Sequence, residues 1–356
     1  MGELRLMKGN EAIAEAIIRA GADGYFGYPI TPQSEVLEYL MAEKPYETTG
    51  MVVLQAESEL AAINMVYGGA ACGKKVVTTS SSPGISLMQE GLSYIAGAEL
   101  PCLVVNVVRG GPGLGTIQPS QCDYFQATKG GGHGDYRLIV LAPSSVQEMA
   151  DFVPLAFTLA FRYRNPSMIL TDGALGQMME KVELFDPIPR SKEILPWATT
   201  GKKPGRDHII ITSLDLDPKK HEEHNKKLQR KYREIEEKEV RFEKLMCDDA
   251  EYLLIAYGTS FRVCLKAAQL ARAKGIKVGI FRPITLWPFP YKTVREMTNT
   301  IKGILTVEMS SGQMVEDVRL AVDGKVKVDF YGRMGGIIPA PEEVSNHLEK
   351  QLVGGK

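Results

Sequence analysis

Five runs of strand-forming residues, Met51–Leu54, Lys75–Thr79, Cys102–Val108, Leu138–Leu141 and Ser167–Thr171, alternate strictly with segments of helical apolar spacing. These runs are dominated by apolar and β-branched residues. A strand of that kind cannot turn one face to water, so the alternation predicts a parallel sheet covered by helices on both faces.

The helices between these strands carry their own boundary signals. Glu11–Ala20 has helical spacing, with Asn10 as its expected N-cap and Gly21 as its stop. A strand then leads into the turn Gly27-Tyr28-Pro29-Ile30-Thr31-Pro32. Further helices are expected over Ser34–Met41, over Glu59–Tyr67 with Gly68-Gly69 ending it, up to Tyr94, and from about Ser145 to Phe161.

Residues 1–186 form one expected domain. Residues 187–247 read as a linker, rich in Pro, Lys and Gly, followed by a charged helical arm from Lys219 to Lys244. Along that arm Glu and Lys or Arg recur at helix-supporting i, i+4 spacing, and Leu228, Ile235 and Phe242 return every seventh residue. A solvated helix lying on its own domain is the first reading and a docking arm for another subunit the second. A smaller α/β domain, with strands near Glu251–Ala256, Lys277–Phe281 and Ile304–Glu308, occupies residues 248–356.

Composition excludes several classes. With 356 residues, 44% of them hydrophobic, the chain can bury a core in each domain. A formal net charge of -1 lacks the basic footprint of a nucleic-acid binder, and no run approaches the apolar length of a membrane span. A cytoplasmic location is expected. Five widely separated cysteines suit neither a cluster site nor a disulfide framework and are expected to be reduced, mostly core thiols.

Familiar motifs fail one by one. Gly68 and Gly73-Lys74 imitate a phosphate loop, but Lys75 stands where Ser or Thr is needed and the element order is reversed. No G-x-G-x-x-G follows a strand, and no G-x-S-x-G is present. Gly130–Gly134 reads as a mobile loop rather than a phosphate cradle. His221-Glu222-Glu223-His224 has the wrong spacing for a helical zinc site, so no metal-ligand set is assigned. Ser80-Ser81-Ser82-Pro83-Gly84 reads as a helix-capping turn rather than a nucleophile.

What remains is a constellation at three strand ends: Thr31 in the Pro-rich turn, Glu57 and Glu59 after the second strand, and Arg109 before Gly110-Gly111-Pro112-Gly113. Open α/β sheets bind ligands beyond the carboxyl ends of their strands. A guanidinium with a neighbouring hydroxyl suits a carboxylate, and a partly buried glutamate suits proton transfer. Together they read as a site for a small anion.

These segments, with Thr79–Met88, Phe281–Pro290 and Val307–Met314, resemble the α subunit of 2-oxoacid:ferredoxin oxidoreductases across both domains. The length and the charged helix resemble most the type acting on 3-methyl-2-oxobutanoate. The resemblance implies a pyrimidine-binding domain for thiamine diphosphate followed by a transketolase C-terminal-like domain, with the cofactor shared across a subunit interface. It implies that Glu59, rather than Glu57, activates the cofactor through its aminopyrimidine ring. It further implies that Tyr28, Pro29 and Ile30 line the cofactor site and that Arg109 and Thr31 hold the 2-oxoacid. Coenzyme A would accept the acyl group and ferredoxin the electrons. A β subunit would bind the diphosphate and Mg, an iron-sulfur cluster would lie on partner subunits, and a small ferredoxin-like subunit is a further expected partner. A 2-oxoglutarate enzyme and a non-catalytic assembly subunit are the competing readings.

Overall fold

The computed structural model describes residues 3–201, 205 and 207–354. A ribbon strand β1 (Glu3–Lys8) precedes helix α1 (Gly9–Arg19), which leads to β2 (Gly24–Gly27), α2 (Ser34–Glu43), α3 (Pro45–Thr49), β3 (Val52–Gln55) and α4 (Glu59–Ala71). Then follow β4 (Val76–Ser80), α5 (Ser82–Gly97), β5 (Leu103–Val108), β6 (Ile139–Leu141), α6 (Val146–Tyr163), β7 (Ser167–Asp172), α7 (Gly173–Gln177) and β8 (Met179–Leu184). The charged segment forms α8 (Pro218–Lys238). Beyond it lie β9 (Phe242–Leu245), β10 (Tyr252–Ile255), α9 (Gly258–Ala273), β11 (Val278–Pro283), β12 (Thr285–Trp287), α10 (Tyr291–Met297), β13 (Gly303–Glu308), α11 (Met314–Val322), β14 (Lys327–Gly332) and α12 (Pro341–Leu348).

The predicted parallel sheet is present as a seven-stranded sheet of order β12-β6-β7-β5-β4-β2-β3, parallel except for β12. Its central strands β4, β5 and β7 are buried at every position, their polar residues such as Thr78, Thr79, Asn106 and Thr171 included. A second sheet has the order β14-β13-β10-β11-β9. The two sheets exchange strands. β9, within the 187–247 segment, closes one edge of the second sheet, while β12 leaves the second half of the chain and pairs antiparallel with β6.

Several local expectations are corrected. Asn10 is not the N-cap of α1; Lys8 holds that position, and Asn10 lies fully buried with its Nδ2 donating to Pro32 O at 2.7 Å. Gly68-Gly69 does not end α4, which continues to Ala71. A β-carbon on Gly69 would come 2.7 Å from Val76 Cγ1, so this glycine serves helix-on-strand packing. Phe242 is not on the charged helix, which ends at Lys238; it opens β9. Gly130–Gly134 is a largely exposed loop, as expected, attached near α5 by Gly132 N donating to Tyr136 Oη at 3.0 Å and Ser93 Oγ to His133 O at 2.7 Å.

The charged helix lies on its own chain. Leu228, Tyr232 and Ile235 are buried beneath it, His224 Nε2 donates to Gly97 O at 2.7 Å, and the Tyr232 ring meets Trp287 edge to face. Of the five cysteines, Cys102 and Cys264 are buried in the core, Cys122 and Cys247 are half-buried against it and Cys72 is exposed, so most are core thiols as expected. Among the described residues no helix is long and apolar enough to cross a membrane.

Candidate active site

The three strand-end segments follow β2, β3 and β5 and the serine run follows β4, at the carboxyl ends of four neighbouring strands in the order β5-β4-β2-β3. The turn after β2 is held from below by a buried chain of side chains. Tyr25 Oη and Thr79 Oγ1 are 2.8 Å apart, Thr79 Oγ1 donates to Gln33 Oε1 at 2.5 Å, and Gln33 Nε2 donates to Tyr28 O at 3.2 Å. Burial pushes the Tyr25 hydroxyl far above its ordinary pKa, so it stays a neutral hydrogen-bonding group. Tyr28 and Ile30 are half-buried, while Pro29 and Thr31 are exposed.

Glu59 opens α4, where Ser58 is the N-cap and accepts from Ala61 N at 3.2 Å. A carboxylate in the first turn is favoured by the helix dipole. Glu59 is only 7% exposed, whereas Glu57 is exposed. The Glu59 carboxylate forms no ion pair or hydrogen bond within the described residues. It faces the start of α5 so closely that a β-carbon on Gly84 would lie 2.6 Å from Glu59 Oε1 and 2.1 Å from Ser80 Oγ.

Arg109, 8% exposed, follows β5. Its Nη1 donates to Thr31 O at 2.9 Å, which joins the first and third segments through the Thr31 backbone rather than its hydroxyl. Arg109 N donates to Ser82 Oγ at 3.1 Å, and Ser82 Oγ donates to Arg109 O at 3.2 Å. Ser80–Gly84 is therefore the hub of the site, with Ser80 and Gly84 against Glu59 and Ser82 against Arg109. Ser81 holds the N-cap position of α5, but its hydroxyl makes no capping bond, contrary to the reading of this segment as a capping turn alone.

Three polar groups at this hub are buried without a partner: Ser80 Oγ, Ser81 Oγ and Arg109 Nε. Buried polar atoms are normally paired with protein, water or a ligand, so these three are places where a bound group can be received. An unpaired buried carboxylate beside the orphaned Ser80 hydroxyl fits a ligand with ring nitrogens and an amino group, and a buried guanidinium with a free Nε fits a carboxylate. Beside them a cleft of about 580 Å³ opens between the two sheets, lined by Ser82, Gly111, Cys122, Ser310 and Met334 among others. Sequence reasoning missed Ser80, Ser82 and Gln33 as parts of the site; the serine run was visible, but nothing in its spacing said which hydroxyl faces which segment.

The profile of the family described as pyruvate flavodoxin/ferredoxin oxidoreductase, thiamine diphosphate-binding, matches residues 15–244, and that of pyruvate:ferredoxin oxidoreductase core domain II matches residues 250–344. The chain belongs to the 2-oxoacid:ferredoxin oxidoreductase family. Within this oxidoreductase family it is 52% identical to the ketoisovalerate oxidoreductase subunit VorB of Methanothermobacter thermautotrophicus, over 93% of each chain. It is 36% identical to the 2-oxoglutarate synthase subunit KorA of Methanothermobacter marburgensis, over 98% of this chain and 99% of the relative. A solved oxidoreductase, the 2-oxoglutarate:ferredoxin oxidoreductase from Magnetococcus marinus with 2-oxoglutarate, coenzyme A and succinyl-CoA bound, matches with a TM-score of 0.88 at 30% identity. The match covers 99% of this chain and 66% of that one. A split-gene transketolase at 13% identity and a TM-score of 0.61 shares the fold.

Proposed function

We propose that this chain is the pyrimidine-binding subunit of a complex that oxidatively decarboxylates 3-methyl-2-oxobutanoate, passing the acyl group to coenzyme A and the electrons to ferredoxin. The observation that carries the reading is the buried, unpaired Glu59 carboxylate set across Ser80–Gly84 from the buried Arg109 guanidinium. When bound, thiamine diphosphate supplies the electron sink that lets a 2-oxoacid lose carbon dioxide.

This chain's residues have separate tasks. Glu59 would hold the aminopyrimidine ring through one of its nitrogens and keep a proton available at its carboxylate. Tyr28, Pro29 and Ile30 would line the place for that ring. Arg109 orients the substrate carboxylate with its free guanidinium edge, and Thr31 donates its hydroxyl to the substrate oxygens. Burial of Glu59 and Arg109 strengthens both contacts by excluding water.

The other half of the site is assigned to partner subunits. Leu54, Leu60 and Leu87 are 40%, 47% and 55% exposed on elements bordering Glu59, an apolar surface that suits a partner chain. We place the diphosphate, Mg and at least one iron-sulfur cluster there, with a small ferredoxin-like subunit as a further member. Branched-chain specificity is supported by the higher identity to the ketoisovalerate subunit than to the 2-oxoglutarate subunits.

The test is a panel of 2-oxoacids, with coenzyme A and a viologen acceptor, on the purified complex. The highest kcat/KM is expected for 3-methyl-2-oxobutanoate. A preference for 2-oxoglutarate would overturn the substrate assignment, and no acceptor reduction with any 2-oxoacid would overturn the enzymatic one.

A further inference from the structure

In an open parallel sheet the ligand position is the crevice beyond the strand carboxyl ends, where helix N-termini present free amides. The second sheet has such a crevice at the ends of β10 and β13, flanked by the starts of α9 and α11. Its helix N-termini are taken up by the chain itself. Glu308, fully buried at the end of β13, accepts from Met314 N at 3.0 Å, Val315 N at 2.9 Å and Gln313 N at 3.2 Å, and so occupies the α11 N-terminus. Asp172, from the end of β7 in the first sheet, accepts from Thr259 Oγ1 at 2.9 Å and lies against the start of α9.

Between them sits Gln121, a first-domain residue 2% exposed. Its Nε2 donates to Tyr257 O at 2.8 Å, and its Oε1 accepts from Met309 N at 2.9 Å and Ser260 Oγ at 2.6 Å. Its own N donates to Met309 O at 2.9 Å. Gly258, at φ +55°, leaves just enough room, since a β-carbon there would lie 3.1 Å from Gln121 Nε2. A side-chain amide with both lone pairs and a donor engaged in a dry crevice is a rigid attachment.

The attachment is only a short step from Arg109. Ser120 Oγ donates to Met309 O at 3.0 Å, Pro119 forms an antiparallel bridge with Arg109, and Gly110 N donates to Gln118 O at 3.0 Å. On the other side Cys122 Sγ donates to Arg109 O at 3.4 Å, while Gln313 Nε2 holds Cys122 O at 2.7 Å. The strand-end loop that carries Arg109 is thus pinned at its far end to the second domain.

We infer that the second domain acts as an anchor, its ligand crevice closed by Gln121, and that Gln121 is the positioning residue that sets Arg109 against the substrate carboxylate. The inference rests on the reading of Arg109 as the carboxylate partner. Gln121→Met keeps the length and removes the polar attachment, and Ser260→Ala removes one bond from it. In the assembled complex Gln121→Met is expected to raise KM for the 2-oxoacid about tenfold, and Ser260→Ala about threefold, with kcat and KM for coenzyme A changed less than about twofold.

Ile235→Ala, a buried substitution under the charged helix, controls for stability loss and is expected to leave KM unchanged. An unchanged KM in Gln121→Met, or an equal rise in Ile235→Ala, overturns the inference while Arg109→Lys still raises KM. If Arg109→Lys leaves KM unchanged, the Arg109 reading fails and the inference falls with it. Should Gln121→Met not assemble, Ser260→Ala decides by the same criterion.

Discussion

Glu59 Oε1 lies 2.6 Å from the point that a β-carbon on Gly84 would occupy, so the carboxylate fills the space that the glycine leaves open. A methyl group there would meet Ser80 Oγ at 2.1 Å, Glu59 Oε1 at 2.6 Å and Glu59 Cγ at 2.8 Å, and both of these residues are buried. Gly84→Ala therefore forces the Glu59 side chain aside, as overpacking does, at a cost of about 1–3 kcal/mol in stability. A thermal midpoint below that of the parent, with kcat lower by about a hundredfold, is the expected pair of results. Unchanged turnover would show that Glu59 has no fixed position to lose.

The two neighbouring glutamates separate by burial. Glu59→Gln removes the proton-sharing oxygen from a buried site, and a loss in kcat of about 10² to 10⁴ is expected. Glu57 is exposed, and Glu57→Gln is expected to stay within about twofold of the parent. Steady-state rates of the two variant complexes, measured with the same acceptor, check the contrast; equal and mild losses would reject the assignment.

Arg109 has one guanidinium nitrogen on Thr31 O and Nε without a partner. Lysine has a single nitrogen for both the backbone oxygen and a carboxylate. Arg109→Lys is expected to raise KM for the 2-oxoacid by about ten- to a hundredfold, with the complex still assembled by size-exclusion chromatography. An unchanged KM and kcat would count against a role in substrate binding.

Lys231 gives a pH prediction on the charged helix. Burial pushes its ammonium down to about 8 from the usual 10.5, against the opposing pull of Glu99 at 3.4 Å. The folded value lies below the unfolded one, so between these values the unfolded chain binds more protons and stability rises with pH. Below pH 8 both states are protonated and the burial cost is felt in full. Lys231→Met lacks this dependence, so chemical denaturation should show the parent gaining on the variant by on the order of 3 kcal/mol between pH 8 and 10.5. Parallel stability curves over that range would refute the burial of this charge.

The first sheet was legible because its strands are rich in apolar and β-branched residues, and the two constellation residues Glu59 and Arg109 because they stand at strand ends. Burial separates Glu59 from Glu57 in the structure, which spacing alone could not do. β1 and β8 escaped notice because a two-stranded ribbon with Leu4 and Leu6 in water carries no strong periodic signal. β12 is three residues long and its partner lies far away in sequence. Asn10 has the composition of a cap, but its amide is used across 22 positions to hold Pro32, a tertiary demand that local propensity cannot express. Gln121 is an ordinary loop glutamine until the second sheet surrounds it.

The stretch Val278–Trp287 passes from one sheet directly into the other, with Phe281 paired to β10 and Thr285 to β6. It works like a dovetail in joinery. Removing the second half would strip β6 of its outer neighbour, and starting the second half after Leu245 would take away β9 and expose the backbone edge of β11. Open edges of that kind recruit foreign strands. Heat should therefore melt the subunit in one calorimetric step, and a nick between the halves should leave two fragments that co-purify.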